Sequence, residues 1–255
     1  VSRFSLFVNT AIMHNYSLIR LQEVDSTNVW AKKAFHEKIV GSGAAIVAAT
    51  QQEGRGQMRT KWHDEKGKNI LLTLIVDTQK LHATHFFRLN EAVSLALIDV
   101  LESYTSPLIK WPNDIWVENK KIAGILIETI LQGNFIKTAF VGIGLNVNQK
   151  KFPDDLNATS VANETGFELD LNKMLENLLN ALAFRISQLH MQNVLAKQYF
   201  AHLLGTQNYL KYKDEDGTFY AKVHKIEDDG RLVLQLKDEA VIQHYQFKEV
   251  QLLGD

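Results

Sequence analysis

KWPNDIWVENKKIAGILIE, residues 110–128, is the stretch whose reading decides the fold. It follows a short apolar run, Pro107-Leu108-Ile109, that ends a strand. Pro112 lacks a backbone donor and restrains the residue before it, so Trp111 is extended and the chain turns at Asn113-Asp114. A second strand, Ile115-Trp116-Val117, leads to a polar turn at Glu118-Asn119-Lys120, and a third runs over 122–130 with Gly124 near its start. Lys110, Lys121 and Asp114 therefore stand at the ends of adjacent strands, beside a glycine that leaves the backbone uncovered. Such a grouping suits an anion and a metal ion better than a core.

Working outward, residues 16–24 alternate as a strand, and Asp25-Ser26-Thr27-Asn28 opens a helix to about residue 39 with Ser26 or Asp25 as N-cap. Ser26 and Thr27 either cap that helix alone or offer hydroxyls to a polar ligand at its N-terminus; both readings stand. Residues 44–50 are small and apolar, a buried strand. The segment 51–69, QQEGRGQMRTKWHDEKGKN, has little periodicity, three glycines and five Lys or Arg. Loops of that length inside a domain are functional or disordered. Gly54-Arg55-Gly56 is a phosphate cradle on one reading and part of a solvated basic loop on the other. Trp62 stacks on a base or pins the loop to the body.

Further on, 70–76 is a strand and 84–104 a core helix with no assigned chemistry. Residues 134–147 form another strand, whose Gly142 and Gly144 mark close backbone or ligand approach. Asn146, at its end, is a turn residue or a ligand contact. A loop over 152–163 precedes one long helical region, about 170–204, which Gly205 stops. Short strands then follow at 209–212, 218–227, 231–236 and 240–245, with turns at Asp214-Glu215-Asp216-Gly217, Asp228-Asp229-Gly230 and Lys237-Asp238-Glu239. The fold expected is α+β: a mixed sheet backed by helices over 14–205, then a small barrel over 206–255.

Composition narrows the function classes. The 255 residues suffice for one large domain with an appendage, and 45% hydrophobic content supports a sizeable core. A net charge of −1 argues against a general nucleic-acid or membrane-surface binder. With no cysteine there is neither disulfide framework nor thiolate chemistry. No apolar run reaches spanning length and residues 1–13 lack a signal-peptide h-region, so the expectation is a soluble cytoplasmic protein. The nine histidines have no ligand spacing, no Walker loop exists, and Gly142-Ile143-Gly144 lacks the third glycine of a dinucleotide fold.

Taken together, DSTN (25–28), QQEGRG (51–56) with Trp62, GKNIL (67–71), KWPNDI (110–115), KKIAGIL (120–126) and GIGLNVN (142–148) resemble the biotin–protein ligases. The likeness covers the chain from about residue 16, including the C-terminal barrel. It implies a catalytic domain of the class II synthetase or biotin–lipoate ligase type with an SH3-like barrel. It also implies a two-step ligase: biotin and Mg-ATP give biotinyl-5′-AMP and pyrophosphate, and a lysine of a biotin carboxyl carrier domain then takes the biotinyl group. Mg²⁺ comes with ATP, and biotin is a substrate rather than a prosthetic group.

Carried across position by position, the resemblance makes Lys121, Arg55 and Lys110 catalytic. Ser26, Thr27, Asn28, Gln51, Gly54, Gly124 and Gly142 become biotin contacts. Arg55, Gly56, Gln57, Trp62, Lys110, Asn113, Asp114, Lys121 and Asn146 surround ATP or the adenylate, with Asp114 and Asn146 near the metal. Gln57 stands where many relatives have Arg, and Met58-Arg59-Thr60 replaces a commoner Arg-Gly-Arg run. Only some fifteen residues precede the first strand, too few for a helix-turn-helix, so the expectation is a monofunctional enzyme without DNA binding or membrane association. A homodimer through a sheet edge is also an expectation of the resemblance. The competing readings are a lipoate–protein ligase, a non-catalytic carrier-binding module and a transcriptional regulator; intact Lys121, Asp114 and Arg55 disfavour the second, and charge disfavours the third.

Overall fold

The computed structural model describes residues 11–13, 16–54, 56, 62–191, 193–237 and 241–253. Eight strands form the main sheet: β1 (Ala11–Met13), β2 (Tyr16–Leu21), β3 (Ala44–Ala48), β4 (Ile70–His82), β5 (Pro107–Lys110), β6 (Asp114–Val117), β7 (Lys120–Gln132) and β8 (Phe135–Leu145). Their order is β1-β2-β3-β4-β8-β7-β6-β5. Helix α1 (Thr27–His36) connects β2 to β3, which pair in parallel, and the remaining pairs are antiparallel. The sheet is therefore mixed, as α+β patterning requires once a helix intervenes between two of its neighbouring strands.

Alternation along β4 and β8 assigns the two faces. Leu72, Leu74, Val76, Val141, Ile143 and Leu145 join the main core under α2 (Phe87–Leu101) and α4 (Leu171–Ser187). Ala44, Ile46, Ile75 and Phe140 pack on the opposite face with Ala31 of α1, where Phe35 meets Phe140 edge to face. Helix α2 is buried nearly all round, its polar Asn90, Glu91 and Ser94 included, as the central helix of the core. Arg185 of α4 grips Asp99 of α2 through two parallel N–H···O bonds of 2.7 and 2.6 Å.

The expected single helix over 170–204 is in fact α4 and a separate α5 (Val194–Ala201). The break falls where Asn193 adopts a left-handed φ of 61°, which asparagine tolerates, and His190 Nε2 donates to the Thr78 carbonyl of β4 at 3.1 Å. A short helix α3 (Val161–Thr165), capped by Ser160, lies within the expected loop and beyond it. β4 and β7 extend well past their expected ends. The C-terminal sheet has five antiparallel strands rather than four: β9 (Leu210–Lys213), β10 (Thr218–Ile226), β11 (Leu232–Leu236), β12 (Ile242–Tyr245) and β13 (Gln251–Leu252), ordered β12-β11-β10-β9-β13. β13 is two residues long, too short for a two-residue alternation to be visible. No helix among the described residues is long and apolar enough to cross a membrane.

Candidate active site

Register places residues in transverse rows across the face that α1 only partly covers. One row is Ile75 and Phe140 with Glu128, the next Thr73 and Gly142 with Leu126, and a third Leu71 and Gly144 with Gly124 and Asp114. Glycines facing each other across β7 and β8 remove the side chains that would fill this face, so the bare backbone floors a cleft of about 620 Å³. Each glycine is required by a close neighbour. A Cβ at Gly142 would stand 2.5 Å from Asn28 Oδ1, and one at Gly144 would stand 2.6 Å from the Trp62 indole. The Trp62 ring also overlies Gly124, and the Trp62 backbone N–H donates to the Gly54 carbonyl at 2.8 Å. It thus pins the segment after β3 onto the floor.

One end of the cleft is a neutral polar ladder at the start of α1. Gln51 Oε1 accepts from the Thr27 backbone N–H at 2.7 Å, and the Thr27 hydroxyl lies 3.1 Å from Gln51 Oε1 and 2.8 Å from Thr73 Oγ1. Thr73 Oγ1 is 2.6 Å from Asn28 Oδ1. Ser26 occupies the N-cap position by its extended backbone but makes no side-chain cap bond, and it lines the cleft beside Thr27 and Asn28. Both hydroxyls are thus turned to something other than capping.

The other end is charged. Strict alternation would put Lys121 on the face opposite Gly124. A bulge between the Ile115–Ala123 and Trp116–Lys121 pairs restores it to the cleft side, where Nζ meets Asp114 Oδ1 at 2.7 Å. Lys110, paired with Asp114 across β5 and β6, lies over the Trp116 ring with Nζ 4.0 Å from its centroid, and donates to the Leu252 carbonyl at 3.4 Å. Burial holds its ammonium below the ordinary lysine range; Asp114 opposes the shift and Lys121 adds to it. Asn146 donates to the Thr159 carbonyl at 2.9 Å, while its Oδ1 is buried without a partner among the described residues. Asn113 turns the chain between β5 and β6 and gives its amide hydrogen to the Ile125 carbonyl.

The structure therefore brings Ser26, Thr27, Asn28, Gln51, Gly56, Trp62, Lys110, Asn113, Asp114, Lys121, Gly124, Gly142 and Asn146 to one cleft. Gly54 is buried behind it, against Gln51 and Trp62. Arg55 and Gln57 lie outside the described residues. Two contributors were not singled out from sequence. Thr73 was visible as one hydroxyl in an aliphatic run, and Glu128 as a lone acid in GILIE. The C-terminal sheet supplies the far wall: Phe247 stacks on Trp111 at 5.1 Å and 11°, and the Trp111 indole donates to the Gly230 carbonyl at 3.0 Å. Tyr199 of α5 fixes the turn from behind by donating to the Pro112 carbonyl at 2.8 Å.

Residues 19–146 match the biotin/lipoate A/B protein ligase family. The chain is 31% identical to the Bifunctional ligase/repressor BirA of Bacillus spizizenii over 77% of this chain, and spans 62% of that relative's length. It is 30% identical to the Biotin–[acetyl-CoA-carboxylase] ligase of Mycobacterium tuberculosis over 78% of this chain and 76% of the other. Among solved structures, a biotin protein ligase from Aquifex aeolicus in complex with biotin and ATP superposes with a TM-score of 0.76 at 25% identity, covering 93% of this chain and 99% of that one.

Proposed function

The chain belongs to the biotin/lipoate A/B protein ligase family, and from that premise we propose that it activates biotin as biotinyl-5′-AMP and transfers it to a lysine of a carrier domain. One observation carries the reading: a glycine-floored trough joins a neutral hydrogen-bonding end, at Thr27 and Gln51, to a charged end, at Lys121 and Asp114. A ligand with a polar, uncharged head, an apolar body and a carboxylate fits that sequence of surfaces in order. Biotin has those three parts. The names of the relatives favour biotin over lipoate within the family.

In the first step the ligand carboxylate attacks the α-phosphate and pyrophosphate leaves. Two anions approach, so the site must stabilise charge accumulating on phosphoryl oxygens. Lys121 does this from the end of the trough, with Asp114 holding its ammonium in place. Lys110 adds a second cation, and Arg55 is assigned to the same task. Trp62, already flat against the trough floor, is assigned to the adenine. In the second step an uncharged lysine amine of the carrier attacks the biotinyl carbonyl and AMP leaves. Holding the anhydride still against the bare floor is the chain's contribution there.

Mg²⁺ enters with ATP as part of the substrate. The donor set fits that mode of arrival: one carboxylate, Asp114, and the unpartnered buried oxygen of Asn146. Groups of three or more acidic or histidine ligands are absent among the described residues. Magnesium keeps several waters and phosphate oxygens and needs few protein ligands, so Asp114 and Asn146 would suffice to orient it.

The reading is tested by mixing the chain with Mg-ATP and biotin, following pyrophosphate, then adding a carboxyl carrier domain. Biotin-dependent pyrophosphate release and labelling of the carrier are expected, with neither produced by lipoate. Preference for lipoate would reassign the substrate, and tight biotin binding without pyrophosphate would leave a binding module.

A pH profile tests Lys110 separately. Its lowered proton affinity means that the ammonium is lost, as pH rises, earlier than on a free lysine. The rate constant kcat/KM for ATP should accordingly fall on an alkaline limb below the ordinary lysine range. Lys110→Arg stays charged throughout and should lose that limb. An unchanged limb in the arginine variant would assign it to another group.

A further inference from the structure

Behind the neutral end of the trough, a charged pair faces outward. Lys32 Nζ and Glu128 Oε1 are 2.6 Å apart, both half-buried, and the second oxygen of Glu128 accepts from Asn28 Nδ2 at 3.0 Å. The same amide nitrogen donates to the Leu126 carbonyl at 3.2 Å. Asn28 therefore faces two acceptors, and turning its amide over would set Oδ1 against both. We propose that Glu128 is a positioning residue that fixes the donor–acceptor polarity of the closed end of the trough, and so selects a cyclic urea there; the inference rests on the biotin reading.

The polarity follows link by link. With Asn28 Nδ2 held by Glu128 and Leu126, Oδ1 can only accept, so the single Thr73 hydroxyl proton goes to it. The oxygen of Thr73 is then an acceptor for the Thr27 hydroxyl, whose other acceptor in reach is Gln51 Oε1. Either choice consumes the Thr27 proton inside the protein and leaves its oxygen as an acceptor. Gln51, whose Oε1 already takes the Thr27 backbone N–H, keeps its amide nitrogen as a donor. One acceptor beside one donor matches one N–H and the C=O of a urea. Asn28 is 4% exposed and Thr73 fully buried, so water does not replace the bond between them. Glu128 touches no substrate in this arrangement and acts through Asn28.

The experiment compares biotin with its cyclic carbamate analogues, in which one ureido N–H becomes a ring oxygen, by ATP-dependent pyrophosphate release. The native chain should reject a carbamate whose ring oxygen meets the Thr27 lone pair. In Glu128→Ala the Asn28 amide keeps only the Leu126 carbonyl, at 3.2 Å, to hold it. Reversal of the ladder is then opposed by one acceptor instead of two, and the carbamate-to-biotin ratio of KM values should contract by up to about fivefold, the weight of one ordinary hydrogen bond, with KM for ATP unmoved. Thr73→Val keeps the side-chain shape, cuts the relay and carries the same expectation should Glu128→Ala fold poorly. A parallel rise of both KM values, or no change in their ratio, would reduce Glu128 to a structural ion pair and overturn the proposal. Absence of any biotin-dependent pyrophosphate from the native chain would overturn the ligase reading, and this inference with it.

Discussion

Lys121→Ala should cut biotin-dependent pyrophosphate release by about a hundredfold to a thousandfold or more, the scale of losing a preorganised charge at a reacting phosphoryl group. The chain should nonetheless stay folded. The backbone of Lys121 donates to the Asn157 carbonyl and accepts from the Thr159 amide, both at 2.9 Å, and neither bond involves the side chain. Its ion pair with Asp114 is about one-third exposed on each side, and such pairs contribute at most about 1 kcal/mol to stability. Removing the ammonium also takes from the Asp114 carboxylate its 2.7 Å partner where phosphate oxygens must come, so the loss in rate should exceed that of a neutral contact. The measurement is single-turnover adenylate formation beside a thermal melt. A folded variant that forms adenylate at the native rate would sink the assignment of Lys121. Asp114→Asn divides the effect: a loss mainly in KM for ATP would tie Asp114 to nucleotide and metal, whereas a loss in kcat would tie it to orienting Lys121.

How Lys121 reaches the cleft shows where sequence reading stops. KWPND and KKIAGIL announce lysines, an acid and a glycine at strand ends, and that much is local chemistry. Yet two-residue alternation counted back from Gly124 puts Lys121 on the opposite face. The bulge between β6 and β7 that reverses this depends on a partner strand, and nothing in KKIAGIL declares it. The glycines behaved differently. Gly142 and Gly144 interrupt a strand that otherwise favours side chains, so a close approach was legible, although not that Asn28 and Trp62 would be what approaches. Thr73 and Glu128 were legible as oddities in aliphatic runs and illegible as a ladder, because the two strands and one helix they join come together only in the folded sheet. Helix α4 gave a clear amphipathic period, but its end did not. Asn193 enters a left-handed conformation that the helical pattern on both sides conceals. The fifth strand of the C-terminal sheet owes its existence to pairing with β9 rather than to its own two residues.

Gly230→Ala should be the most destabilising single methyl in the molecule's far wall. Gly230 has φ of +90°, a conformation that costs a side-chain-bearing residue about 1 kcal/mol. Its Cβ would also stand 2.7 Å from Phe87 Cγ and 3.1 Å from Cε2. Phe87 is 1% exposed and packs edge to face on Tyr199 at 5.5 Å, so the ring has nowhere to retreat. Overpacking of this kind costs about 1–3 kcal/mol, and with the backbone term the total is about 2–4 kcal/mol. For a chain of this size that corresponds to a fall in Tm of roughly 4–16 °C. Gly133→Ala separates the two terms, because Gly133 has φ of +59° with open space where its Cβ would go; it should lose only about 1 kcal/mol. The wall of the cleft should register the difference. The carbonyl of Gly230 holds the Trp111 indole, Trp111 carries the Phe247 stack, and Lys110 is anchored to β13 beyond it. Displacing the turn by even a few tenths of an ångström therefore loosens the residues beside the second cation of the site. KM for ATP should rise in Gly230→Ala and stay at the native value in Gly133→Ala. Equal melting losses in both variants, with KM for ATP unmoved in both, would mean that the turn meets α2 without bearing on the cleft, and that the C-terminal sheet is an appendage rather than its wall.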